Sequence, residues 1–193
     1  MTKMDIDYLN IDKMTSSMLQ GVDACMEKEA FTSAATLILT YIDALSGFFT
    51  GQNTSQNTFG RFIDRYMSLL PWMSTELGKT KDEAIAFLYD KYRCGFVHEF
   101  LSKAGTGITR ERPYVSLEKG IVVIDINKFR DDFAQALQGF KQDVQNNTEG
   151  IGNHYRLRVN YLRSRPAELF IKLVDTISVT DVTQQSISRG THI

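Results

Sequence analysis

The sequence predicts an all-α fold, a helical bundle of five to seven helices with a small β-hairpin inserted, and three observations predict it. Apolar residues recur at three- and four-residue steps through most of the chain, which is the period of a helix with one buried face. A single stretch reads as two β-branched runs joined by a turn. The composition is that of an ordinary globular chain: 193 residues, 42% hydrophobic, 23% charged and three prolines. That is enough for one sizeable core, with no low-complexity linker to divide it. The expected organisation is one helical domain over residues 1–179 and a disordered tail over 180–193.

The elements follow in chain order. Met4, Tyr8, Ile11, Met14, Met18 and Val22 line one face of an amphipathic helix over about residues 5–26. From Glu27 to about Thr50 the chain is apolar on most sides, and Ala34, Ala35 and Ala44 let neighbours approach closely, so this is the expected central helix. The polar stretch Gly51 to Asn57 is a turn, after which Thr58 caps a helix carrying Phe59, Phe62, Ile63, Tyr66 and Leu70 that Pro71 stops. A loop through Gly78 leads to a helix from Lys81 to about Lys103 with Ile85, Leu88, Tyr89, Tyr92, Phe96 and Phe100 at helical spacing, ended by Gly105-Thr106-Gly107. Tyr114 to Leu117 and Ile121 to Ile124 flank Glu118-Lys119-Gly120 and form the hairpin. Asn127 caps a helix with Phe129, Phe133, Leu137, Phe140 and Val144 on one stripe, ending near Asn146-Asn147. Tyr155 to Tyr161 alternates as a strand would, but Tyr155, Val159 and Leu162 also suit a helix, which is the preferred reading. Pro166 opens a further helix through Ile177.

Charge and composition exclude several functions. The chain carries 22 basic and 23 acidic residues, a net charge of −1, so bulk electrostatic gripping of nucleic acid is not expected, although a local site is compatible with that balance. Cys25 and Cys94 are too few for a disulfide framework, and with His98, His154 and His192 they make no tetrahedral metal set; Cys94 and His98 are four apart but no second pair completes them. No metal and no other cofactor are expected. Asp5, Asp7 and Asp12 interrupt the region where an export signal would stand, and Thr32, Ser33, Thr36, Thr40, Asp43 and Ser46 interrupt the most apolar window, so a cytoplasmic protein without a membrane span is expected. Phosphate-cradling glycine loops, dinucleotide fingerprints and nucleophile elbows do not occur.

The chemistry concentrates in Tyr92-Arg93-Cys94-Gly95-Phe96-Val97-His98-Glu99. At ~100° and ~1.5 Å per residue, Arg93 and His98 on an ideal α-helix point ~140° apart and lie ~7.5 Å apart along the axis. Such a helix does not converge them on one small ligand. Gly95 between them permits a local bulge or the close approach of another helix, and a symmetric partner could supply the other half of a site.

An Arg, four to six residues and a His near the end of a long helix in an all-α bundle resemble the motif of the HEPN superfamily, the higher eukaryotes and prokaryotes nucleotide-binding domains. The resemblance extends to the small-residue-rich helix containing Asp43, to the Phe59/Phe62/Tyr66 helix and to the segment Leu88 to Glu99, and it covers residues 5–175. It implies metal-independent RNA cleavage at a composite site in a homodimer. His98 would activate the ribose 2′-hydroxyl or protonate the leaving 5′-oxygen, and Arg93 would hold the scissile phosphate, with Asp43, Cys94, Gly95 and Glu99 in support. The family's Arg is usually followed by a polar residue, and here by Cys94.

The same residues admit a structural reading, in which Arg93 bridges to a carboxylate such as Asp43 or Asp90 and His98 is a hydrogen-bonded histidine at a helix end. The corresponding function is a non-catalytic HEPN-like module that binds RNA or nucleotide or serves for dimerisation. Candidate RNA-binding residues are Lys103, Arg110 and Arg112 after the motif, and Arg156 and Arg163 in the acid-free run that also holds Arg158 and Arg165, with Tyr155 and Tyr161 interleaved to stack on bases. Expected partners are a second copy of the chain, RNA, and an antitoxin or regulatory protein.

Overall fold

α2 (Phe31–Thr50) is the element on which the others pack. It buries Ala34, Ala35, Ile38, Leu39, Ile42 and Leu45 completely, as its all-round apolar sequence requires. By length and composition it would also suffice to cross a membrane, but 56% of its most apolar window is buried by neighbouring elements. The computed structural model describes residues 10–99 and 105–164, and the side chains of all of these except 96–99 and 163. Two compact units divide the chain, Met1–Val159 and Asn160–Ile193, and the elements that follow belong to the first, apart from the end of the last helix.

The described residues contain seven α-helices, one π-helix, a short 3-10 helix (Thr148–Gly150) and a three-stranded sheet. α1 (Ile11–Glu27) begins where Asn10 accepts a hydrogen bond from the Asp12 backbone N–H at 2.9 Å, and it buries Met18, Val22 and Cys25. α3 (Gln56–Tyr66) starts earlier than the sequence suggests: the cap is Ser55, and Thr58 stands three residues in, its hydroxyl accepting from the Ser55 N–H at 2.8 Å. A hydroxyl suits both positions of a capping box, which is why Thr58 reads as a cap. Pro71 does not stop this helix. The break is at Met67, where the backbone is extended, and Pro71 sits in the first turn of α4 (Leu69–Leu77), where a helix needs no N–H from it. The stretch expected as a loop up to Gly78 is therefore mostly helical.

α5 (Lys81–Phe87), opened by the Thr80/Glu83 capping box, runs directly into a π-helix at Leu88–Glu99. The chain then forms β1 (Thr106–Thr109), β2 (Val115–Glu118) and β3 (Ile121–Asp125), in the order β1-β3-β2. The expected hairpin is the antiparallel β2–β3 pair, but β1 adds a third strand parallel to β3, with Ile108 opposite Ile124. A four-residue strand with a glycine in it carries no alternation to detect, and a parallel partner is not adjacent in sequence. α6 (Ile126–Asn146) is capped by Asp125 rather than Asn127, Asp125 accepting from the Lys128 N–H at 3.0 Å. α7 (Ile151–Arg163) is helical through 155–161. The helix expected after Pro166 and the tail from 180 lie outside the described residues.

Two buried polar contacts tie the sheet to the helices. The Tyr92 hydroxyl, in the π-helix, donates to the Val122 carbonyl at 2.6 Å. Asp132 of α6, 6% exposed, accepts from the Ser68 N–H at 2.9 Å and from the Tyr114 hydroxyl at 2.7 Å. Asp132→Ala leaves the Tyr114 hydroxyl, 3% exposed, without its acceptor and also frees the Ser68 N–H, and is expected to cost about 2–4 kcal/mol, measured by urea denaturation. Burial also raises the Tyr66, Tyr92 and Tyr114 hydroxyls above their ordinary value of 10, with Asp143 adding to the rise at Tyr66 and Asp132 at Tyr114. Phenols held protonated in the fold stabilise it below the unfolded value and lose that contribution as pH climbs past it. Unfolding midpoints are therefore expected to fall above about pH 10, and a flat profile to pH 11 would contradict this.

Candidate functional site

The motif lies in the π-helix, and this changes its geometry. A π-helix closes its hydrogen bonds between residues five apart, whereas an α-helix closes them between residues four apart. Positions 93 and 98 are five apart, one hydrogen-bond step of the Leu88–Glu99 backbone, so they stand near one face, a little more than one turn from each other. The expected separation of ~140° on an α-helix is thus removed by a change of register along the whole segment, not by a bulge confined to Gly95. Gly95 is buried inside it.

Arg93 is the best-defined member of the site. Its Nη2 donates to Asp43 Oδ2 of α2 at 2.8 Å, and the two side chains are 15% and 14% exposed. The guanidinium carbon lies 5.1 Å from the centre of the Tyr89 ring, one α-helical turn earlier in sequence, and Nη1 is 3.9 Å from Cys94 Sγ. Tyr89 in turn meets Phe59 of α3 edge-on, with ring centres 5.3 Å apart. Burial alone would lower the Arg93 pKa; the hydrogen bond and charge of Asp43, with Tyr89, more than reverse this and leave it raised, so Arg93 is a permanent cation. The Tyr89 hydroxyl is raised by burial, opposed by Arg93 and reinforced by Asp43 and Cys94. Asp43 Oδ1 is buried with no hydrogen-bond partner among the described residues.

The structure therefore brings Asp43, Arg93 and Cys94 together, with Gly95 beside them. The backbone of His98 and Glu99 belongs to the π-helix, and their side chains lie outside the described residues, as do Lys103 and the side chain of Arg163. Arg110 and Arg112 have partners of their own near the sheet. Arg110 stacks 4.8 Å from the centre of the Phe31 ring and lies 3.7 Å from Glu29, and Arg112 lies 3.7 Å from Glu118. Arg156 is exposed on α7 and donates to Asn153. Tyr155 is not available to stack on a base: it is 7% exposed, with Phe48 and Phe140 at 5.3 and 6.4 Å between ring centres. Its role is in the core, because i, i+4 spacing with Ile151 and Val159 puts it on the buried stripe of α7.

Tyr89 is the site residue that sequence reasoning assigned only to an apolar stripe. The signal was present in its spacing, since residues four apart share a helix face and an aromatic ring there can cover a guanidinium. No protein-family model, no curated protein and no solved structure matches the chain.

Removing one partner of a largely buried ion pair leaves the other charge uncompensated. Asp43→Ala is expected to cost about 2–3 kcal/mol in urea denaturation, less than a fully buried pair because both groups keep some solvent. Asp43→Asn, which keeps an acceptor for Nη2, is expected to cost less than half of that.

Proposed function

We propose that the chain is a HEPN-like ribonuclease in which Arg93 and His98 act on one phosphodiester without a metal ion, in a homodimer that completes the site. The observation that supports this reading is the π-helical register, which sets positions 93 and 98 on a common face. Arg93 is the phosphate-holding group. Asp43 takes one Nη2 donor and Tyr89 covers the planar face, so the guanidinium is oriented before substrate arrives and loses little freedom on binding it. A guanidinium carries five N–H donors, and the Asp43 contact is a single one, from Nη2. His98 is the acid–base group, because imidazole alone among side chains ordinarily titrates near neutral pH. The attacking group is then the 2′-hydroxyl of the RNA itself. The new bond joins this oxygen to phosphorus as the P–O5′ bond breaks, giving a 2′,3′-cyclic phosphate and a 5′-hydroxyl.

One observation favours a second reading. Arg93 is 15% exposed and paired with Asp43, and a guanidinium so engaged serves equally as the keystone of a non-catalytic module that binds RNA or dimerises. The two readings part in a single assay, single-stranded RNA with purified protein in excess chelator. The ribonuclease cleaves it, His98→Ala lowers the rate by about 10²–10⁴ while the urea midpoint stays unchanged, and Arg93→Lys also impairs turnover because an ammonium lacks the bidentate fork. Cleavage that persists in His98→Ala, or that stops with chelator, rejects the mechanism. Binding without cleavage of any RNA selects the module. The homodimer is checked by light scattering at micromolar concentration, where a monomer counts against the composite site.

A further inference from the structure

The apolar stripe of α6 does not stop where the helix does. Phe129, Phe133, Leu137, Phe140 and Val144 follow one another at three- and four-residue steps, and the same steps run on through Thr148 to Ile151, Tyr155 and Val159. No proline stands between Pro113 and Pro166, so the pattern is compatible with a single helix through 126–163. The structure breaks it instead. α6 ends at Asn146 and α7 starts at Ile151, with the 3-10 turn Thr148–Gly150 between them.

The break is made at a cost in backbone conformation. Asn147, Glu149 and Gly150 have φ of +52°, +50° and +80°, the left-handed region that a side chain enters only with strain. Asparagine tolerates it and glycine is indifferent to it, but glutamate is neither. The corner is also tight. A Cβ on Gly152 would lie 2.6 Å from the Val144 carbonyl oxygen and 2.8 Å from Asn147 Oδ1, so only glycine fits there. Its closing contacts are near the surface: Asn147 Oδ1 accepts from the Asn153 N–H at 2.9 Å, and Arg65 bridges Asp143 and a largely exposed Glu149 at 3.0 and 2.9 Å. Exposed ion pairs add little. Beyond the corner, α7 is held by one stripe and a few polar ties. Ile151, Tyr155 and Val159 are buried, and the Tyr155 ring meets Phe48 of α2 and Phe140 of α6. The His154 ring nitrogen Nδ1 donates to the Phe49 carbonyl at 3.1 Å, since a carbonyl can only accept, and Arg158 Nη1 donates to Asn53 Oδ1 in the 51–57 turn at 3.1 Å.

We infer that α7 is exchanged between two copies of this chain. The 147–150 corner opens, α6 and α7 run on as one helix, and the stripe of Ile151, Tyr155 and Val159 docks on α2 and α6 of a second copy, whose own α7 docks in return. The second copy is the occupant because the face that α7 leaves is already fitted to this helix: the ring contacts of Tyr155 and the hydrogen bonds of His154 and Arg158 are all remade between chains. Only the corner differs between the two states. Opening it releases Asn147 and Glu149 from the left-handed region in each copy and extends a stripe that is already in phase. The pairing is mutual, so it closes with two copies and leaves no unfilled face. The exchange names how two copies join. It uses no residue of the Arg93 site and stands whether or not RNA is cleaved.

A disulfide tests it on the full chain. A Cβ on Gly51 would lie 3.4 Å from His154 Cβ, close to the ~3.8 Å that a disulfide spans. Gly51→Cys/His154→Cys, with Cys25→Ala and Cys94→Ser, therefore joins α7 to whichever chain it docks on. Protein oxidised at about 300 µM is expected to run as a covalent dimer on a non-reducing denaturing gel, with the monomer band growing as the concentration falls to about 1 µM. Cysteine at φ +69° is strained, so Gly152→Ala is the second variant. It crowds the closed corner and nothing in the open one, and is expected to raise the association constant in light scattering about a hundredfold, about tenfold for each corner relieved. A covalent monomer at every concentration overturns the exchange. A protein that is nonetheless dimeric by light scattering then keeps the composite site of the proposed ribonuclease. Gly152→Ala that unfolds at lower urea with unchanged association also overturns the exchange, whereas an exchanged dimer that cleaves no RNA rejects the nuclease alone.

Discussion

A charge on the π-helix meets a charge on α2, and the arrangement of the site depends on that contact. Apolar packing fixes how closely helices approach but tolerates rotation and sliding of either partner. The hydrogen bond from Arg93 Nη2 to Asp43 Oδ2 does not, because it is directional and both groups have given up most of their water. It sets the rotation of the π-helix at Arg93, as the Tyr92 hydroxyl sets it one residue earlier against the sheet. Consecutive residues anchored to different elements leave the segment little freedom to turn as a unit.

Most of the helical framework was legible because its signals are local. Ala34, Ala35 and the apolar run around them mark a central helix by pattern alone, and the Phe129/Phe133/Leu137/Phe140 stripe marks the next long one. The errors occurred where a residue type serves more than one position. Thr58 is a good cap and an equally good third member of a capping box, Asp125 outcompetes Asn127 by standing two residues earlier, and Pro71 both ends and begins helices. β1 was hidden for a different reason: its partner is β3, with β2 between them in sequence, and pairing at that distance leaves no local pattern.

The site was legible as residues and not as geometry. Arg93, Asp43 and Gly95 stand out by type, and an ion pair between the first two is the structural reading that the sequence admits. The π-register could not be read, since an i, i+5 relation looks unhelpful until the helix is known to be wide. The link between Arg158 and Asn53 was half visible. The acid-free run of α7 is a matter of counting, but Asn53 is about a hundred residues away in sequence, and only the packing of α7 on the 51–57 turn joins them.

The wide helix also bears on how a chain of this kind can change length. On an α-helix, residues four apart stand only ~40° from each other at ~100° per residue, nearly the relation that a π-helix gives to residues five apart. Loss of one residue between Arg93 and His98, with reversion of Leu88–Glu99 to the narrower helix, would therefore return both to a shared face. An inserted residue and a widened turn offset each other, so the spacing of such a pair is free to drift between related chains while the surface that the pair presents stays the same.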